Sequence, residues 1–158
     1  MVPGADARSS RGFTLVEIVA ALAVMAIAMG IVIPSLQGGM QTREVWREAR
    51  YFAATLRHLR HEALVTGEIQ ELVIAPDRNT YQASGVGGSV AIPEAAAFLA
   101  VEGGYALGNQ IVRVLFYPNG GTTGVNVVVG AREDPEGARY RIVLDPLIGT
   151  VRVDDARV

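Results

Sequence analysis

One stretch restricts the fold more than any other: from Phe13 to Leu36 there are 24 residues and a single charge, Glu17. As a helix rising about 1.5 Å per residue this run measures roughly 36 Å, enough to cross a ~30 Å hydrocarbon core. Such a segment needs lipid or apolar partners around it. A secretory signal peptide would explain an apolar stretch after Arg8 and Arg11, and Ala26-Ile27-Ala28 offers the small residues of a cut site. The flanks disagree: the chain stays apolar through Ile33, where a polar region should begin, and an acid interrupts the core. A plain single-pass anchor, with the two arginines holding the N-terminus in the cytoplasm, accounts for the length but not for Glu17. An acid within a membrane helix costs about 2.5–3.5 kcal/mol even on lenient scales, so Glu17 is a candidate functional residue.

Beyond the run, Gly30, Pro34, Gly38 and Gly39 fall close together. Proline removes a backbone donor and crowds the preceding turn, and glycine adds entropy to the unwound state, so Pro34, Gly38 and Gly39 are expected to form a hinge. Val45, Ala49, Phe52, Leu56, Leu59 and Ala63 then recur at spacings of four and three, the stripe of an amphipathic helix that packs on a sheet. Arg43, Arg47, Arg50, Arg57 and His61 form another stripe, interleaved with Glu44, Glu48 and Glu62. It reads as a solvated face, a contact surface for neighbouring subunits being the alternative. Trp46 is expected at the rim of the core, with a lateral contact as the other reading.

The helix is expected to stop at Thr66, with Gly67 supplying the left-handed turn. After it the period changes to two. Residues 69–75 and 80–83 read as a hairpin around Pro76-Asp77-Arg78-Asn79, and 111–117, 125–129, 139–145 and 149–153 as four more strands, the last two joined by a tight turn at 145–149. The glycine- and alanine-rich stretch 84–108 reads as a surface excursion with one short strand at 97–101. The fold class is α+β: a long N-terminal helix, apolar in its first half and amphipathic in its second, packed on an antiparallel β-sheet head.

Charge excludes one class of partner. Without residues 1–12 the balance is 12 basic against 15 acidic residues, which argues against a general polyanion binder. All 14 cations are arginine, and there is no cysteine, hence no disulfide and no thiolate metal site. His58 and His61 stand three apart on the predicted helix beside Glu62, but without a third placed ligand they read as surface residues and no metal is expected. Residues 116–124 are glycine-rich, yet they lack the lysine of a phosphate loop and precede a strand, so they read as a turn. No cofactor is expected, and no catalytic residue is assigned.

Gly12-Phe13-Thr14-Leu15-Val16-Glu17 resembles the class III signal of type IV pilins and type II secretion pseudopilins. The resemblance implies cleavage after Gly12 by a prepilin peptidase, methylation of the new amine on Phe13, and an assembly role for Glu17, fifth residue of the mature chain. A free amine on one subunit can meet the buried carboxylate of its neighbour, so that the cost of an unpaired charge selects the stagger. Pairing of Glu17 with the amine of its own Phe13 is the other reading.

Two further stretches are similar to the minor pseudopilin GspH/FimT-like branch: Leu56-Arg57-His58-Leu59-Arg60-His61-Glu62-Ala63-Leu64-Val65-Thr66-Gly67 and Phe116-Tyr117-Pro118-Asn119-Gly120-Gly121-Thr122-Thr123-Gly124. Pro146-Leu147-Ile148-Gly149-Thr150-Val151-Arg152-Val153 resembles the final hairpin of that branch more loosely. The resemblance implies a leader peptide at 1–12, a transmembrane and filament-core helix at 13–36, its amphipathic continuation at 37–66 and a β-rich periplasmic head at 67–158.

It implies a structural minor subunit of a periplasmic pseudopilus that helps drive protein secretion across the outer membrane, not an enzyme. Its partners would be other pseudopilins or pilins, prepilin peptidase and the inner-membrane assembly platform. The subunit would sit in the bacterial inner membrane, N-terminus cytoplasmic, before entering the filament. The alternative is a FimT-like minor pilin of a type IV pilus, acting in pilus assembly or DNA uptake; the mixed tail Asp154-Asp155-Ala156-Arg157-Val158 does not favour nucleic acid. Asp134, Glu136 and Asp145 are too loosely spaced to transfer the calcium loop of the major pseudopilins.

Overall fold

A computed structural model describes residues 14–108, 110–134 and 136–156, with the side chains of residues 30–41 outside that description. The element order is one long α-helix, α1 (Leu15–Thr66), followed by strands β1 (Gln70–Ala75), β2 (Thr80–Ala83), β3 (Val90–Ala91), β4 (Ala96–Gly103), β5 (Tyr105–Ala106), β6 (Val112–Phe116), β7 (Val125–Ala131), β8 (Arg139–Leu144) and β9 (Val151–Asp155). The chain divides into two compact units, Met1–Gly38 and Gly39–Val158.

In the second unit the helix contributes one apolar stripe. Val45, Ala49, Phe52, Leu56, Leu59 and Ala63 are all buried, as the four-and-three spacing predicts, and Ala53 joins them. Gly67 adopts φ 71° and its amide donates to Ala63 O at 3.1 Å, which closes the helix with a left-handed residue at the expected place.

The β-rich part forms two antiparallel sheets. The first runs β3-β2-β1-β6-β5 and the second β4-β7-β8-β9. Period-two alternation decides which side chains reach the core. On β1, Leu72 and Ile74 are buried and stand opposite Val114 and Val112 of β6 on one side and Ala83 and Tyr81 of β2 on the other. In the second sheet Val125 and Val127 of β7 face Leu144 and Ile142 of β8. Phe52 of α1 meets the ring of Tyr81 edge-on at 5.2 Å and that of Phe98 at 5.5 Å, so one helical aromatic touches a strand of each sheet.

The 84–108 excursion holds more structure than the sequence indicates. It contains β3, β4 and β5, which form both edges of the first sheet and one edge of the second. The strand expected at 97–101 extends over Ala96–Gly103, and its register against β7 shifts between Phe98 and Ala100. That bulge breaks the alternation on which a sequence reading relies. Asn79, expected only as a turn residue, is buried with φ 53°. Its side-chain amide donates to Ala96 O at 2.9 Å, and its Oδ1 accepts from the Phe98 amide at 3.0 Å. The first hairpin is thereby bonded to the edge of the second sheet.

Candidate functional site

The described part of the signal begins at Thr14, which caps α1. The Glu17 amide donates to Thr14 O at 3.0 Å and to Thr14 Oγ1 at 3.2 Å, and the Ile18 amide donates to Thr14 O at 3.2 Å. Thr14 is thus the N-cap and Glu17 the third helical residue, the spacing of a capping box. An acid in the first turn is also favoured by the partial positive charge of the helix N-terminus. Local helix chemistry therefore suits Glu17 to its position before any neighbour is considered.

After Glu17, every described side chain from Ile18 to Met29 is exposed. Leu22, Val24, Met25, Ile27 and Met29 are each at least 60% exposed, and they point in all directions around the helix. A helix that is apolar all round has no water-facing side, so it requires lipid or other helices. Among the described residues no helix is long and apolar enough to cross a membrane. The apolar run continues beyond Met29 into residues whose side chains lie outside the described set.

Gly12 and Phe13, the expected cleavage and methylation positions, lie outside the described residues. At the expected hinge the backbone of α1 is helical through Pro34, Gly38 and Gly39, and the boundary between the two units falls between the two glycines. His58 and His61 are exposed, and among the described residues no group of three or more His, Cys, Asp or Glu is placed to hold a metal ion.

The three stretches that carry the branch resemblance meet in space. Arg60 Nε of α1 donates to Gly120 O at 3.3 Å in the turn after β6. Thr122 in that turn is buried; its amide donates to Pro146 O at 2.9 Å and its hydroxyl to Asp145 O at 3.1 Å. A Cβ on Gly149 would sit 2.6 Å from Gly120 O and collide with the Arg60 side chain, and Gly149 has φ 65°. The Asp145 carboxylate accepts from the Leu147 amide at 2.8 Å and the Ile148 amide at 3.0 Å. The Ile148 bond, then the Leu147 bond, holds its pKa below the usual value. One arginine, one threonine and two glycines thus knit the end of the helix to two loops, a convergence invisible in linear order.

The prokaryotic N-terminal methylation motif family matches residues 7–33, which include Gly12, Phe13 and Glu17. The chain is 26% identical over 146 residues to the type II secretion system protein H of Xanthomonas campestris pv. campestris, covering 92% of this chain and 83% of that protein. It also aligns with the structure of the minor pseudopilin EpsH from the type 2 secretion system of Vibrio cholerae. The TM-score is 0.57 and the identity 17%, over 71% of this chain and 97% of EpsH. The chain thus carries the N-terminal methylation motif and shares the fold of EpsH. A second EpsH crystal structure matches with a TM-score of 0.53, over 71% of this chain and 94% of that one. A helix packed on antiparallel sheets is thus the fold that the second unit has in common with EpsH, and the described part of the motif, from Thr14 to Glu17, stands at the start of α1.

Proposed function

We propose that this chain is a minor pseudopilin of a type II secretion system. In this reading it is cut after Gly12, methylated on Phe13, and assembled through Glu17 into a periplasmic filament that helps move proteins across the outer membrane. The observation that carries the proposal is the first half of α1. Its described residues, 15–29, are exposed and apolar on all sides, and their single charge, Glu17, lies in the first turn.

Before assembly, lipid covers this surface, with the N-terminus in the cytoplasm and the head in the periplasm. In the filament, helices of other pilin-like subunits replace the lipid, and the Phe13 amine of a neighbour neutralises Glu17. Pro34, Gly38 and Gly39 are proposed as the place where the helix bends or unwinds on entering the filament. Prepilin peptidase and the inner-membrane assembly platform are the partners this life cycle requires. Force comes from that machinery, and the subunit is assigned no catalysis.

Mass spectrometry of membrane-extracted protein from cells containing the peptidase should find a chain beginning at N-methylated Phe13. An intact Met1 start under those conditions overturns the reading. Gly12→Ala should block processing, whereas Glu17→Ala should be processed normally yet fail to enter sheared filament fractions.

A further inference from the structure

The seam between α1 and β2 holds a carboxylate that nothing in the described chain answers. Glu48 is 8% exposed, and among the described residues no hydrogen bond or ion pair reaches its carboxylate. Arg47 eases that charge only through space, because its guanidinium pairs with Glu44 at 3.6 Å. Buried polar groups are almost always paired, and a carboxylate withdrawn from water without a partner works against the fold. Burial accordingly raises the Glu48 pKa above its ordinary value.

Tyr81 of β2 faces the same point. Its ring stands edge-on to Phe52 at 5.2 Å, which fixes where the hydroxyl lies. That hydroxyl is fully buried beside Thr55 in an arrangement short of a hydrogen bond, and the Thr55 hydroxyl donates to Tyr51 O at 3.2 Å. A phenol oxygen accepts as well as donates, so Tyr81 Oη has an acceptor position unfilled. Glu48 and Tyr51 both act on the Tyr81 phenol through space, so the three side chains converge. Tyr51 is 58% exposed, and the Glu48 carboxylate keeps a little surface contact, so the seam opens to solvent at this end.

We infer that this seam receives an arginine side chain of a partner protein, whose guanidinium donates to the Glu48 carboxylate and to Tyr81 Oη beside the Tyr51 ring. The sign of the unpaired charge selects the occupant: a cation removes the penalty, whereas an acidic segment or a nucleic acid is repelled. Two acceptors and an aromatic rim suit the planar, weakly hydrated fork of arginine. The acid that weakens the free chain thereby makes the contact selective, because a partner without the cation leaves the charge uncompensated. The inference concerns the second unit alone and stands whether or not Glu17 governs assembly.

Carboxyl carbon NMR of the full chain in detergent micelles follows Glu48 directly, its resonance assigned by its loss in Glu48→Gln. The probe is a short serine and glycine peptide with a central arginine. Because the cation binds the ionised form, the titration midpoint of Glu48 should fall by about one pH unit at ten times the half-saturating concentration. The peptide should also raise the melting temperature of the wild type at pH 7. Glu48→Gln removes a buried charge and keeps the size, so it should fold at least as stably and gain nothing from the peptide. Tyr81→Phe should weaken binding about threefold or more. An unchanged midpoint, the same fall with a citrulline peptide, or equal stabilisation of Glu48→Gln overturns the proposal. So does the same fall in sodium chloride of matched ionic strength, which would make the seam a site for a free cation.

Discussion

At the scale of single residues, two buried polar groups do opposite things to stability. Asn79 satisfies both its amide and its carbonyl on β4 while holding a left-handed backbone conformation that asparagine tolerates. Asn79→Ala loses both bonds and leaves two edge groups unpaired. It should lower unfolding free energy by about 2–4 kcal/mol in a denaturant titration. Asn79→Gly, which relieves the backbone but not the bonds, should recover only a fraction of that. Glu48 is the counterexample: it is 8% exposed, and desolvation, opposed by Arg47, raises its carboxyl above the ordinary value.

A raised carboxyl pKa means that the folded state resists ionisation, so the penalty is present above the folded pKa and relieved as pH falls toward 4.5. Glu48→Gln should therefore raise the melting temperature at pH 7. The difference between variant and wild type should shrink on acidification through that window. A gap that stays constant with pH would assign the effect to packing. Burial also pushes the nearby Tyr81 phenol up to about 12, so the acid sits in a seam that disfavours charge generally.

At the scale of elements, the junction between α1 and the sheets concentrates the stability of the second unit. Phe52 is fully buried and makes aromatic contacts to both sheets, so Phe52→Ala should cost about 3–5 kcal/mol by denaturant titration. The knot around Arg60 behaves differently, because its constraint is backbone approach. Gly149→Ala places a methyl against Gly120 O at a positive φ. It should destabilise by more than about 1 kcal/mol, and Arg60→Ala in the same chain should recover only the part due to the side-chain collision. The six-residue stripe on the helix was legible because burial followed a single period. The edges of the first sheet were not: Val90–Ala91 and Tyr105–Ala106 are two residues each, too short to show alternation.

At the scale of the whole molecule, the two units answer to different solvents. The described apolar surface of residues 15–29 is satisfied only by lipid or by other helices, whereas the second unit closes a core of its own. Substituting Glu17→Gln removes the charge but keeps the size and one acceptor. It should therefore insert in the membrane at least as well as wild type while entering filaments poorly, measured by comparing membrane and sheared fractions. Equal filament entry would remove the electrostatic basis of the assembly role.

The sequence by itself determined the apolar helix with its lone acid, the amphipathic continuation and its stop at Gly67, the central strands and the resemblance of the signal. Each of these rests on periodicity or on adjacent residues, which linear order preserves. Tertiary structure alone decided the division into two sheets, the role of 84–108 as their edges, Asn79 as the bond between them, and the meeting of Arg60, Thr122 and Gly149. These depend on contacts between residues far apart in the chain. Small residues, bulges and turns then carry the geometry without leaving a periodic mark.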